Sequence, residues 1–194
     1  MNPNRIVIAV LAYRGEPNRV LLAWLEQAGL AGAEWRFAPD VLGVDLAREV
    51  CCNRFLAEIP ASGRDHLIMV DADMAPDAEA SGILSADGDL VYCGYTGHAG
   101  TRGHFGDRDF GCGLCRISAE VLGKVGKPWF VLDRRADVQV ACECDCFRVA
   151  AGCQGFTSQM VGRCWHQQTI LVRPTQDGSG MESQWPRALL HGSF

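Results

Sequence analysis

Apolar and polar positions along the chain alternate between two periods. Residues 5–13, RIVIAVLAY, form a β-branched and apolar run that predicts a buried first strand. Pro17 suits the first turn of a helix, and Leu21, Trp24, Leu25 and Ala28 follow at helical spacing before Gly29 and Gly32. A short second strand is predicted over 34–38. From 44 to 59, Ala47, Cys51, Phe55 and Ile59 fall on one face, while Arg48, Glu49, Arg54 and Glu58 keep the rest largely polar, the pattern of an amphipathic helix. That helix feeds into LIMVDADM, residues 67–74, an apolar strand ending in two aspartates.

The second half continues the alternation. The pattern predicts a helix over 77–84, a strand over 90–95 and another over 110–117. Ser118 then caps a short helix carrying Val121, Leu122 and Val125 before Gly126. Residues 142–151 read as a helix with Phe147 and Ala150 inward and Gly152 as its stop, and a strand through 157–161 or beyond leads towards Trp165 and His166. The expected fold is therefore α/β: a single domain with a Rossmann-like, mixed but mostly parallel sheet flanked by helices, its ligand site outside the strands' carboxyl ends. Glycine recurs at 94, 97, 100, 103 and 106, among His98, Arg102, His104, Arg108 and Asp109, which reads either as a loop that closes over a substrate or as an irregular solvated connection. The domain is expected over 1–172, with 173–194 a loosely attached tail.

Composition narrows the class. A chain of 194 residues with 48% hydrophobic and 21% charged residues can bury one good core. A net charge of −5 gives no general attraction to nucleic acid, so none is expected as a partner. No apolar run approaches the roughly 20 residues of a membrane span, and the first residues, MNPNRIVIAV, lack a basic stretch followed by a cleavage site, so a cytoplasmic protein is expected. Ten cysteines are then read as reduced thiols. Cys112 and Cys115 have zinc-ligand spacing, but they sit in an apolar strand where buried thiols act as small hydrophobes.

The chemistry concentrates at the aspartates. Strands send alternate side chains to one face, so Asp71 and Asp73 can converge at a strand's carboxyl end as a hard, oxygen-donor site for Mg²⁺ or Mn²⁺ carrying phosphates. Glu143 and Asp145 lie in the first turn of a predicted helix, where the helix dipole favours carboxylates. They are about 200° apart around the helix axis, so only one of them faces a given pocket.

In motif order the chain resembles glycosyltransferases of the GT-A fold, particularly small family 2-like enzymes of bacteria and phages. The resemblance covers roughly residues 5–172 and rests on CNRFL at 52–56, DHLIMVDADMAPD at 65–77, FGCGLCRIS at 110–118, ECDCFRVAAG at 143–152 and Cys164-Trp165-His166. It implies a GT-A-like domain that moves a sugar from a nucleoside-diphosphate sugar, most simply a UDP-sugar, to a hydroxyl acceptor with Mn²⁺ or Mg²⁺. Asp71 would contact the ribose and help hold the metal, Asp73 would coordinate the metal on the diphosphate, and His166 would be a third protein ligand. Tyr13, Arg48 and Asn53 are the further candidate nucleotide contacts. Glu143 matches the acid that deprotonates the acceptor in inverting members, with Asp145 the alternative, because the family commonly has Asp directly after that Glu where this chain has Cys144.

Two other readings use the same residues. A degenerate, non-catalytic domain of this kind would bind a nucleotide sugar without turnover. Haloacid-dehalogenase-type phosphatases also use Asp-X-Asp after an apolar strand with Mg²⁺. Their motif opens the domain and needs a later Lys, whereas here a strand and two helices precede it and the lysines are Lys124 and Lys127, both in a turn-like GKVGKP context.

Overall fold

The computed structural model describes residues 5–12, 17–30, 34–37, 43–96, 111–131, 133–135, 138–141, 143–166, 171–174 and 181–184. The first half holds β1 (Ile6–Leu11), α1 (Arg19–Gln27), β2 (Glu34–Phe37), α2 (Val44–Ser62), β3 (His66–Asp71) and β4 (Met74–Pro76). A 3-10 helix (Glu79–Leu84) leads to β5 (Leu90–Thr96), and β6 (Leu114–Ser118), α3 (Ala119–Val125), β7 (Asp133–Arg135), β8 (Val138–Ala141), α4 (Glu143–Cys153), β9 (Ser158–His166), β10 (Leu171–Pro174) and β11 (Met181–Gln184) follow. β7 pairs with β8 and β10 with β11, both antiparallel.

The main sheet has seven strands in the order β2-β1-β3-β6-β5-β9-β4. Only β2, β1 and β3, and separately β5 and β9, run parallel. β6 is antiparallel to both β3 and β5, and β4 is antiparallel to β9. The mostly parallel sheet expected from the sequence is therefore only partly parallel. A parallel neighbour needs a crossover long enough for a helix, and the glycine-rich segment between β5 and β6 has no helical periodicity, so β6 returns antiparallel. The sheet also curls: β3 and β4 are separated in sequence only by Ala72 and Asp73, yet one sits third and the other at the far edge.

Both faces of the sheet are covered, which is why β1 is buried at every position and reads as an unbroken apolar run. Val7, Ala9, Leu11, Leu67 and Met69 face Ala47, Cys51, Cys52 and Phe55 of α2, Val121 and Leu122 of α3, and Phe147 and Ala151 of α4. Ile6, Ile8, Val10, Ile68 and Val70 face Leu21, Trp24 and Leu25 of α1 and Ala80 and Ile83 of the 3-10 helix. Among the described residues no helix is long and apolar enough to cross a membrane.

Several expected details change. Pro17 stands outside α1, whose cap is Asn18 accepting from the Leu21 N–H. Of the helix expected over 77–84, Glu79–Leu84 forms, and it is a 3-10 helix. In α4 the buried residue is Ala151, not Ala150, and the helix passes Gly152 before the chain turns at Gly155, whose φ of 86° is the left-handed conformation glycine favours. Residues 97–110, the body of the glycine-rich loop, lie outside the described residues.

Candidate functional site

Asp71 ends β3 at the point where three segments meet. Its N–H donates to the Gly113 carbonyl (2.9 Å), and the next N–H, of Ala72, donates to the Leu11 carbonyl (3.0 Å). The turn beyond is gripped by Asn18. The Asn18 N–H donates to the Ala72 carbonyl (2.9 Å) and its Nδ2 to the Met74 carbonyl (2.9 Å), while Oδ1 caps α1. Asp73, between those two carbonyls, is exposed.

Beneath Asp71 lies Arg48, 2% exposed. The periodicity of α2 puts it among polar positions, but 48 and 52 widen the buried stripe formed by 47, 51 and 55. A buried guanidinium needs partners, and Arg48 has them on three separate segments. Its Nη2 donates to Asp71 Oδ1 and Oδ2 (3.1 and 3.3 Å), its Nη1 to the Cys112 carbonyl (3.0 Å), and its Nε faces Glu143 Oε1 (3.5 Å).

Glu143 is buried at the start of α4. Of the two acids in that first turn it is the one brought to Asp71 through Arg48, while Asp145 pairs along the helix with Arg148 (3.7 Å). Cys144, standing where the resembled family has Asp, is buried. Its thiol donates to Glu143 Oε1 (3.4 Å) and accepts the Cys112 N–H (3.3 Å). Burial, and next its contact with Cys115, push the Cys112 thiol well above its ordinary range, so it stays a neutral thiol. Burial likewise pushes Cys51 up to about 11 against the pull of Arg48 and Arg54.

The other candidates separate into three groups. Asn53 is half-buried on α2 and donates to the Glu49 carbonyl one turn back (2.8 Å). The backbone of His166 pairs in register with Met74, which brings its position to within one residue of Asp73. Tyr13 lies outside the described residues.

For a divalent cation, the donor set is Asp73 facing solvent and Asp71 at 18% exposure. No group of three His, Cys, Asp or Glu side chains suited to a metal forms among the described residues. Carboxylate oxygens are the donors Mg²⁺ or Mn²⁺ takes, but β3 ends at Asp71 and Asp73 stands in the turn beyond it, so strand alternation does not carry the two side chains to one face as the sequence predicts.

Sequence reasoning overlooked two residues here. Asn18 carries the ordinary signal of a helix cap, but its grip on the aspartate turn depends on tertiary structure. Glu49 accepts the Phe130 N–H (2.6 Å), and Phe130 stacks on Phe147 of α4 with ring centroids 4.8 Å apart, one helical turn beyond Glu143.

No family model and no curated protein matches the chain. Among solved structures, A197 from STIV aligns with a TM-score of 0.56 and 15% identity over 93% of this chain and 94% of that one. The two folds are alike. Weaker likenesses are to a glycosyltransferase involved in the glycosylation of the major capsid of PBCV-1 and to HddC from Yersinia pseudotuberculosis. The first has a TM-score of 0.38 and 16% identity over 64% of this chain and 69% of that one. The second has a TM-score of 0.32 and 15% identity over 62% and 59%.

Proposed function

We propose that the chain is a metal-dependent glycosyltransferase of the GT-A type, moving a sugar from a nucleoside-diphosphate sugar, with UDP-sugars the first donors to test, to a hydroxyl acceptor. The observation that carries the reading is the joining of Asp71 and Glu143 through Arg48. These acids come from two motifs 72 positions apart (143 − 71), which the motif order assigns to the donor and acceptor sides of one transfer.

Asp73, turned to solvent, and Asp71 hold the cation with the donor diphosphate. Mn²⁺ or Mg²⁺ in that place supplies Lewis-acid neutralisation of charge on the leaving diphosphate. Glu143 accepts the proton of the acceptor hydroxyl as that oxygen attacks the anomeric carbon, and the Arg48 guanidinium fixes the carboxylate that receives it. His166, next to the aspartate turn by strand register, is the further protein ligand in this reading.

Calorimetry with UDP tests the donor side. Wild-type protein should bind UDP only with Mn²⁺ or Mg²⁺, and Asp73→Ala should lose at least tenfold in affinity; undiminished binding by that variant removes the metal assignment. On the acceptor side, Glu143→Gln should still bind UDP with Mn²⁺ and lose sugar transfer. Donor binding without transfer by wild type to any of a panel of hydroxyl acceptors would instead identify a non-catalytic binding domain.

A further inference from the structure

The resemblance implies a nucleotide contact for Arg48, but its surroundings give it different work. Its side chain is buried, and its three nitrogens are directed to partners 23, 64 and 95 residues away in sequence. A nucleotide could reach those donors only by displacing Asp71, Glu143 or the Cys112 carbonyl, the groups that anchor them. We propose that Arg48 is a positioning residue that sets the separation of Asp71 and Glu143 and screens their repulsion, without touching the nucleotide.

The physical case has three parts. Two carboxylates brought together in a partly buried site repel each other, and one shared cation turns that repulsion into two attractions. The guanidinium is a rigid planar fork, so the third bond, to the Cys112 carbonyl, fixes the plane in which the two acids meet it. Finally, α2 carries the fork on a regular helix between β3 and α4, and sites built on such elements are held more tightly than sites on loops. A lysine in the same place would keep the charge and lose the fork.

This inference rests on the reading of Asp71 as a donor-side group, and the test separates the two. UDP with Mn²⁺ is the probe, used with Arg48→Met, Glu143→Gln and the double variant. The expectation is that Arg48→Met weakens UDP binding about tenfold, because Asp71 is pushed out of place by an unscreened Glu143. Adding Glu143→Gln should restore affinity to within about threefold of wild type, since the repelling charge has gone. A direct nucleotide contact predicts no restoration. Either an unrestored loss or unchanged binding by Arg48→Met therefore overturns the proposal.

Thermal unfolding without any ligand gives the second readout. Arg48→Met should lower the Tm and Glu143→Gln in the same chain should raise it again, whereas additive decreases overturn the positioning role. If Arg48→Met does not fold, Arg48→Lys takes its place: it keeps the screening charge and loses the fork, so a smaller fall in Tm is expected that Glu143→Gln does not relieve, and an unchanged Tm counts against the proposal. Should wild-type protein fail to bind UDP with Mn²⁺, the nucleotide reading falls and the unfolding cycle still decides the role of Arg48.

Discussion

Asn18 shows how much one short side chain can organise. Its Oδ1 caps α1, and its Nδ2 holds the Met74 carbonyl just past Asp73. Asn18→Asp keeps the cap, because aspartate accepts from the helix as well as asparagine does, but it turns an oxygen towards the Met74 carbonyl where a donor stood. The variant should lose only about 1 kcal/mol in thermal denaturation. Its affinity for UDP with Mn²⁺ should fall several-fold in calorimetry, and Asn18→Ala should lose both. At this scale the sequence was partly readable. Asp71 and Asp73 are marked by the apolar run that precedes them, whereas periodicity puts Arg48 on the polar side of a helix that buries it. Side-chain chemistry says polar there, and only the partners on β3, the 111–113 turn and α4 make its burial tolerable.

Among the elements, β9 and the 3-10 helix meet without room to spare. Gly162 has φ of 55°, and a Cβ there would lie 2.3 Å from the Ala80 nitrogen and 2.6 Å from its Cα. Both are backbone atoms that cannot swing aside. Gly162→Ala should therefore cost about 3 kcal/mol, read as a lower urea midpoint. Gly123 in α3 meets nothing within 4 Å, and Gly123→Ala should gain about 0.5–1 kcal/mol by the same measurement. The helices and the longer strands of the main sheet were legible because period 3.6 and continuous apolar runs survive folding, whereas β4, β7, β8, β10 and β11, of three or four residues each, are too short to carry either signal. The direction of β6 was not, since a strand buried on both faces carries no mark of which way it runs. The end of α4 was misread for a related reason: Gly152 and Gly155 are the same letter, and only the second adopts positive φ.

For the whole molecule, β9 is the strand on which completion of the sheet depends. It pairs with β5 on one side and β4 on the other, and it buries Cys164 in the core shared with α1. A chain ending at residue 157 would leave β5 as an open apolar edge, which invites pairing between molecules, and would take from β4 the strand it pairs with. That truncation should be insoluble or lack a cooperative thermal transition, while the full chain shows one; a soluble, cooperatively unfolding fragment would contradict this account. Long-range order of this kind is the least legible feature of the sequence, because the pairing of β4 with β9 joins residues about 90 positions apart and leaves no local periodic signature.

The curl of that sheet has a mechanical consequence. Five strands, from β3 through β6, β5 and β9 to β4, run between two ends that are also joined covalently by Ala72 and Asp73. The hydrogen-bonded path and the peptide link form a closed band, and the aspartates are its clasp. β9 meets β4 only where that two-residue link sets Met74 opposite His166, so the length of the link decides where the band shuts, and an inserted residue there would shift the register of the closure.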